Sequence, residues 1–150
     1  MSPSVIPHSI CLDTNVFLDF LLRREGELAA GILLRLGQDG LLRICLSSLT
    51  VANLSYVLRK VKTPAQLNEL FRLFLRHYVI VPVGSMDVYH TVKGGYPDFE
   101  DALQLSCSRG ENCEALITRN KVHFEPYSDI PVYTAEEFLR KLGYEHLTHF

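Results

Sequence analysis

Short apolar runs in this chain alternate with longer stretches in which apolar residues return every three or four positions. The runs "HSICL" at 8–12, "RICLS" at 43–47, "YVIVPV" at 78–83, "ALIT" at 115–118 and "IPVYT" at 130–134 are each bounded by polar or turn residues, as strands are. Between them, Leu28, Ile32, Leu33 and Leu36 share a helical face, as do Leu67, Leu70, Phe71, Phe74 and Leu75. "SLTVANLSYVLRK", beginning at Ser48, also reads as an amphipathic helix. Strands separated by helices imply right-handed βαβ crossovers and a mostly parallel sheet, hence a three-layer α/β/α fold. In such sheets ligands gather beyond the carboxyl ends of the strands, so the residues that follow each strand are the first candidates for chemistry.

Composition narrows the class without naming a partner. The chain has 150 residues, 47% hydrophobic and 21% charged, with no repeat or linker that would divide it, so residues 1–150 are expected to form one domain. A net charge of −2 offers no overall basic field, and a polyanionic partner would have to be met by a local patch. The four cysteines, Cys11, Cys45, Cys107 and Cys113, form no CxxC pair. Two of them sit in apolar strand-like runs, where Cys acts as a small hydrophobe, and a reducing cytoplasm is the expected setting. No basic and apolar leader and no membrane-length apolar run is evident. His146 and His149 read as part of a surface tail.

Four segments could carry chemistry. Asp13 closes the first strand and is followed by Thr14 and Asn15; any of the three could cap a helix, but a cap does not explain a carboxylate buried at the sheet edge. In "YPDFEDALQLSCS", Asp98 and Asp101 stand three apart and can share one face of a helix, although Asp98 after Pro97 is equally an N-cap. Glu100, between them, reads as facing water. Thr118 and Asn120 end the fourth strand, where a plain loop is the alternative. Asn53 lies among Val51, Leu54, Val57 and Leu58 and needs a polar partner, structural or catalytic.

Clustered carboxylates with no cysteine or paired histidine beside them favour Mg2+ or Mn2+ over zinc. Such an ion can activate water and neutralise charge on a phosphodiester. Arg59, Lys60, Arg119 and Lys121 could grip a phosphate backbone, or be helix-end and surface charges. No GxGxxG, GxxxxGK[ST] or GxSxG motif is present. A phosphatase-like enzyme with Asp13 as nucleophile would need a second acid two residues on, where Asn15 stands.

From Ile10 to Tyr133 the chain resembles the PIN-domain family of small metal-dependent ribonucleases, which includes VapC-type toxins. "CLDTNVFLDFLL", "SSLTVANLSYVL", "DFEDALQLSCS" and "LITRNKVHF" carry the resemblance, in the family's order. It implies a five-stranded parallel sheet between helices and an acidic pocket that binds Mg2+ or Mn2+. Asp13 matches the first family acid and Asp101 the acid opening the later helix, with Asp98 an extra carboxylate. Asn53 and Asn120 stand where the family has acids, so two charges are lost while oxygen donors remain.

The resemblance implies an endoribonuclease, the toxin of a type II pair, in which Asp13, Asp98 and Asp101 bind the ion. Thr14, Asn15, Asn53, Thr118 and Asn120 would support them, a small antitoxin would cover the pocket, and homodimers are common in such proteins. The rival expectation is a PIN-like module that binds RNA or a protein but cuts weakly or not at all.

Overall fold

The structure, a computed structural model, describes residues 8–144. Five strands, β1 (His8–Leu12), β2 (Leu42–Ser47), β3 (Val79–Val81), β4 (Ala115–Ile117) and β5 (Val132–Tyr133), form one sheet in the spatial order β3-β2-β1-β4-β5. All neighbours pair in parallel, with Cys11 opposite Cys45 on one side and Leu116 on the other. Among the described residues eight helices cover it: α1 (Thr14–Leu21), α2 (Glu27–Gln38), α3 (Ser48–Leu58), α4 (Pro64–His77), α5 (Ser85–Gly94), α6 (Phe99–Gly110), α7 (Lys121–Phe124) and α8 (Ala135–Lys141). A 3-10 turn, Glu125–Tyr127, follows α7. This is the expected three-layer α/β/α arrangement, with the mostly parallel sheet of the expectation parallel throughout.

Because strand side chains alternate between faces, the sheet divides the interior into two cores. On one face Ile10, Leu12, Ile44, Leu46 and Ile117 meet the buried leucines and aromatics of α1 to α4 and α8. Phe17 and Phe74 lie ring to ring at 5.2 Å there, joining α1 to α4. On the other face Cys11, Cys45 and Leu116 meet Leu105 and Cys107 of α6, with Cys113 and Phe124. The four cysteines thus converge, all buried and free, with the Cys11 and Cys107 sulfurs 3.4 Å apart. A hydrogen bond with Cys113 lowers the Cys45 thiol to about 7, with help from Arg43, whose guanidinium donates to the Cys45 sulfur at 3.3 Å.

Element ends follow local chemistry. The third strand stops before Pro82, which has no amide to continue a ladder, so it is shorter than 78–83. The fifth is reduced to Val132–Tyr133 because Thr134 turns to cap α8 in a capping box with Glu137. Thr63 and Gln66 form a second box, with Pro64 at the first helical position of α4. Two positions depart from the expected helical faces: Leu28 is 43% and Leu75 72% exposed. The buried stripe of α4 runs through Phe71 and Phe74 towards Tyr78, and Leu75 falls beside it. Helix α5 was not evident from the spacing, and His146 and His149 lie outside the described residues. No helix among the described residues is long and apolar enough to cross a membrane.

Candidate active site

Strand order reverses between β1 and β4, since β2 and β3 lie to one side of β1 and β4 and β5 to the other. That gap is the topological switch point, where α/β sheets place ligands. Asp13 and Thr118 are the residues just past the two strands. Their side chains meet there: Thr118 Oγ1 donates to Asp13 Oδ2 at 2.9 Å while accepting the Asn120 amide at 3.1 Å. The Asn120 amide thereby turns the hydroxyl proton towards the carboxylate. Asn120 contributes its backbone to this arrangement, and its own side chain makes no cap bond to α7.

Asp13 occupies the N-cap position of α1, yet its side chain makes no capping bond. It is 5% exposed, and burial pushes its carboxyl up to about 6. The Thr118 hydroxyl and the nearby Thr14 amide offset part of that shift, whereas the charges of Asp101 and Glu100 add to it. No cation answers this carboxylate among the described residues. Two further acids, on α6, are near enough to oppose its charge.

Helix α6 presents those acids. Asp98 caps it, its Oδ1 accepting the Asp101 amide at 2.9 Å, so the cap reading of Asp98 holds and its charge acts on Asp101 from outside. Burial raises the Asp101 carboxyl above its ordinary value, the charges of Asp98 and Glu100 raise it further, and His123 opposes them. His123 Nδ1 lies 3.7 Å from Asp101 Oδ2. Glu100 does more than face water: Asn53 Nδ2 donates to its Oε1 at 2.8 Å, tying α3 to α6 at the rim. Asn53 therefore has an acid for its polar partner.

Beneath the acids lies a buried polar network that sequence reasoning missed. Thr14 and Thr50 hydroxyls meet at 3.0 Å, and Gln104 Nε2 reaches them at 3.3 and 3.2 Å. All three residues are buried, so α1, α3 and α6 are pinned together one turn below Asp101. Thr14 thus supports the site through Thr50 and Gln104, while Asn15 is half-buried on the first turn of α1. Spacing offered one signal: Thr50 precedes Asn53 by three, as Asp101 precedes Gln104.

Two cations expected at the crevice are committed elsewhere. Arg119 pairs with the buried Asp19 at 2.6 Å, and Lys121 pairs with Glu137 at 3.0 Å. Each thereby neutralises an acid of its own fold. Arg59 and Lys60 remain exposed at the end of α3.

A PIN-domain family model matches residues 9–122, and the chain belongs to that family. PIN domains are in general nucleases that hydrolyse phosphodiester bonds, and they typically use divalent metals. Among solved structures, VapBC-1 from nontypeable Haemophilus influenzae aligns with a TM-score of 0.63 at 18% identity, covering 85% of this chain and 98% of that one. DNA-bound VapBC from Salmonella typhimurium gives 0.61 at 19% identity, with 85% and 98% covered. A toxin–antitoxin complex from Klebsiella pneumoniae gives 0.59 at 23%, with 84% and 97% covered. At these identities the likeness establishes the fold. No curated protein matches the chain.

Proposed function

We propose that the protein is a divalent-metal-dependent endoribonuclease and the toxin of a type II toxin–antitoxin pair. The observation that carries this reading is Asp13, a buried carboxylate at the switch point with no cation beside it among the described residues and with Asp101 and Glu100 raising its pKa. A fold that keeps such a group without compensation holds it for a ligand of opposite charge. No group of three His, Cys, Asp or Glu among the described residues is placed to hold a metal unaided. That still fits Mg2+ or Mn2+, which bind through one or two carboxylates and complete their shells with water and substrate phosphate oxygens.

Asp13 and Asp101 would hold the ion, and Asp98 would add its charge. When bound, the ion supplies an activated water and neutralises charge on the phosphodiester. Thr118 fixes the Asp13 carboxylate, Asn53 fixes Glu100, and Gln104 holds α6 against α1 so that Asp101 stays at the pocket. Asn15 and Asn120 offer neutral polar groups along the same edge. The protein acts in the cytoplasm.

A protein partner is supported by an apolar groove of about 380 Å³ between α1, α2 and α4, lined by Phe17, Phe20, Leu70, Leu73 and Phe74. Phe20 is 42% and Leu73 46% exposed there, which suits the apolar face of an antitoxin segment. The exposed Met86, Tyr89 and Val92 of α5 offer a second surface, for a homodimer.

The test combines metal binding and cleavage. Millimolar Mn2+ should raise the melting temperature of the wild type and leave that of Asp13→Asn unchanged. Cleavage of structured RNAs should require the metal and disappear with EDTA or in Asp101→Asn. Cleavage that persists under both treatments rules out the metal mechanism. Bound RNA with no cleavage at any metal concentration identifies a binding module instead.

A further inference from the structure

Beyond Asn53, helix α3 carries Tyr56 one turn further on and ends at Leu58; Arg59 is its C-cap, three positions after Tyr56, and the turn that follows carries Lys60 and Lys62. Residues three apart are neighbours on a helix surface. Tyr56 is 61% exposed, and the Arg59 guanidinium lies over its ring, 3.8 Å from the centroid. Arg59, Lys60 and Lys62 form no ion pair among the described residues, as Arg23, Arg24, Arg76, Lys93, Arg140 and Lys141 also form none; what sets the segment apart is that three such cations fall within four positions beside an exposed aromatic. An exposed aromatic alone would mean little. Here it lies against a guanidinium on the helix whose Asn53 binds an acid of the pocket, and the turn that follows the helix carries Lys60 and Lys62.

We propose that Tyr56 and Arg59 form a stacking platform for an unpaired base of a single-stranded RNA whose backbone runs from the acid pocket along α3. Lys60 and Lys62 engage its neighbouring phosphates. This rests on the nuclease reading and extends it to how the strand is held. Three features select this occupant. Single-stranded RNA presents the faces of its bases, which stack on aromatic rings and on guanidinium planes. The net charge of −2 and the acids of the pocket repel a polyanion, so the strand needs a local cationic hold, and this segment supplies one. Moreover, Tyr56 lies only about 4.5 Å further along the helix axis than Asn53, close enough for a strand at the pocket to reach it.

The experiment measures binding of a short mixed-sequence single-stranded RNA by fluorescence anisotropy, with Asp101→Asn in every chain so that the probe stays intact. Against that background, Tyr56→Ala should weaken binding roughly tenfold, within the range for loss of one base stack. Tyr56→Phe keeps the ring face and should restore the affinity, and Lys60→Ala should weaken binding and flatten its salt dependence. A fully paired duplex of the same sequence should bind Tyr56→Ala and its parent equally. Equal affinity of the two for the single strand overturns the platform and leaves the nuclease reading intact. Tyr56→Ala that keeps RNA affinity but loses a protein partner assigns the face to that partner and also overturns the platform. If the parent chain binds no RNA while its melting profile shows it folded, the nuclease reading falls, and the platform with it.

Discussion

Asp13 and Asp19 stand six residues apart, both almost fully buried at the first strand and helix, and they are treated in opposite ways. Asp19 faces Arg119 at 2.6 Å, and the charges of Arg119 and Arg24 counter the desolvation that raises its carboxyl. Gly26 leaves it room, since a Cβ there would lie 2.6 Å from Asp19 Oδ2. Asp13 receives a neutral hydroxyl, and its charged neighbours are acids. Burial alone therefore does not separate a structural carboxylate from a functional one; what separates them is whether the fold supplies the opposite charge. The two are also coupled, because Arg119 is bonded to Asp19 and is the chain neighbour of Thr118, which holds Asp13. A compensated acid anchors the loop that orients an uncompensated one.

The sharpest way to break this contrast is to neutralise Asp13. Asp13→Asn should lower RNA cleavage by at least about 100-fold, as expected for loss of several kcal/mol of charge stabilisation. The same change should stabilise the fold near pH 8 by about 1–3 kcal/mol, because the wild type must ionise a buried group whose carboxyl is pushed up from 3.8 to about 6. The sign follows from proton counts. Between pH 4 and 6 the folded state holds more protons at Asp13 than the unfolded state does, so wild-type stability falls as pH rises through that window. Thermal melts across pH 3 to 8 should show the Asp13→Asn curve separating upward from the wild type, with the gap complete above pH 6. A variant that is less stable at every pH would place Asp13 with Asp19, as a structural acid.

The second test removes compensation from the other member. Arg119→Met leaves Asp19 buried and unpaired and should destabilise by about 2 kcal/mol in urea unfolding. This is below the range for fully buried pairs because the Arg119 side chain is 43% exposed and water can take its place. Asp19→Asn should cost about 1 kcal/mol, and the double substitution less than the sum of the two. Strict additivity would mean the pair contributes no coupling.

The contrast also explains what the sequence made legible. Layer architecture and the five strands are visible from periodicity, because parallel strands buried on both faces read as continuous apolar runs. Asp13, Thr118 and Asp101 stand out because acids and small polar residues interrupt those runs or begin a periodic helix. Asp19 did not, since one polar residue in "FLDFLL" looks like the wet side of a helix until Arg119 arrives from a hundred positions away. The acids that Arg119 and Lys121 pair with are invisible in the sequence for the same reason: a cation's partner is a matter of tertiary distance. His123, Thr50 and Gln104 carry no signal of their own in the sequence, and Glu100 reads there as facing water, because each gains its meaning from a neighbour on another element. Helix α5, with Met86, Val88, Tyr89 and Val92 all exposed, buries too little to leave a clear stripe.

The smallest effect expected concerns the network beneath the acids, which belongs with Asp19 in being fully answered. Gln104→Met keeps the volume and removes the amide, but Thr14 and Thr50 retain their mutual bond at 3.0 Å, so neither hydroxyl is left alone. The loss should be about 1 kcal/mol, the net worth of ordinary hydrogen bonds exchanged for apolar contact. Thr50→Val should cost more, about 1–2 kcal/mol, because it strips a partner from both Thr14 and Gln104. If the network also positions α6, Gln104→Met should weaken the Mn2+ response while leaving the Asp13 pH signature in place, since Thr118 and not Gln104 contacts that carboxylate. A variant that loses stability but keeps its full metal response would limit the network to holding three helices together.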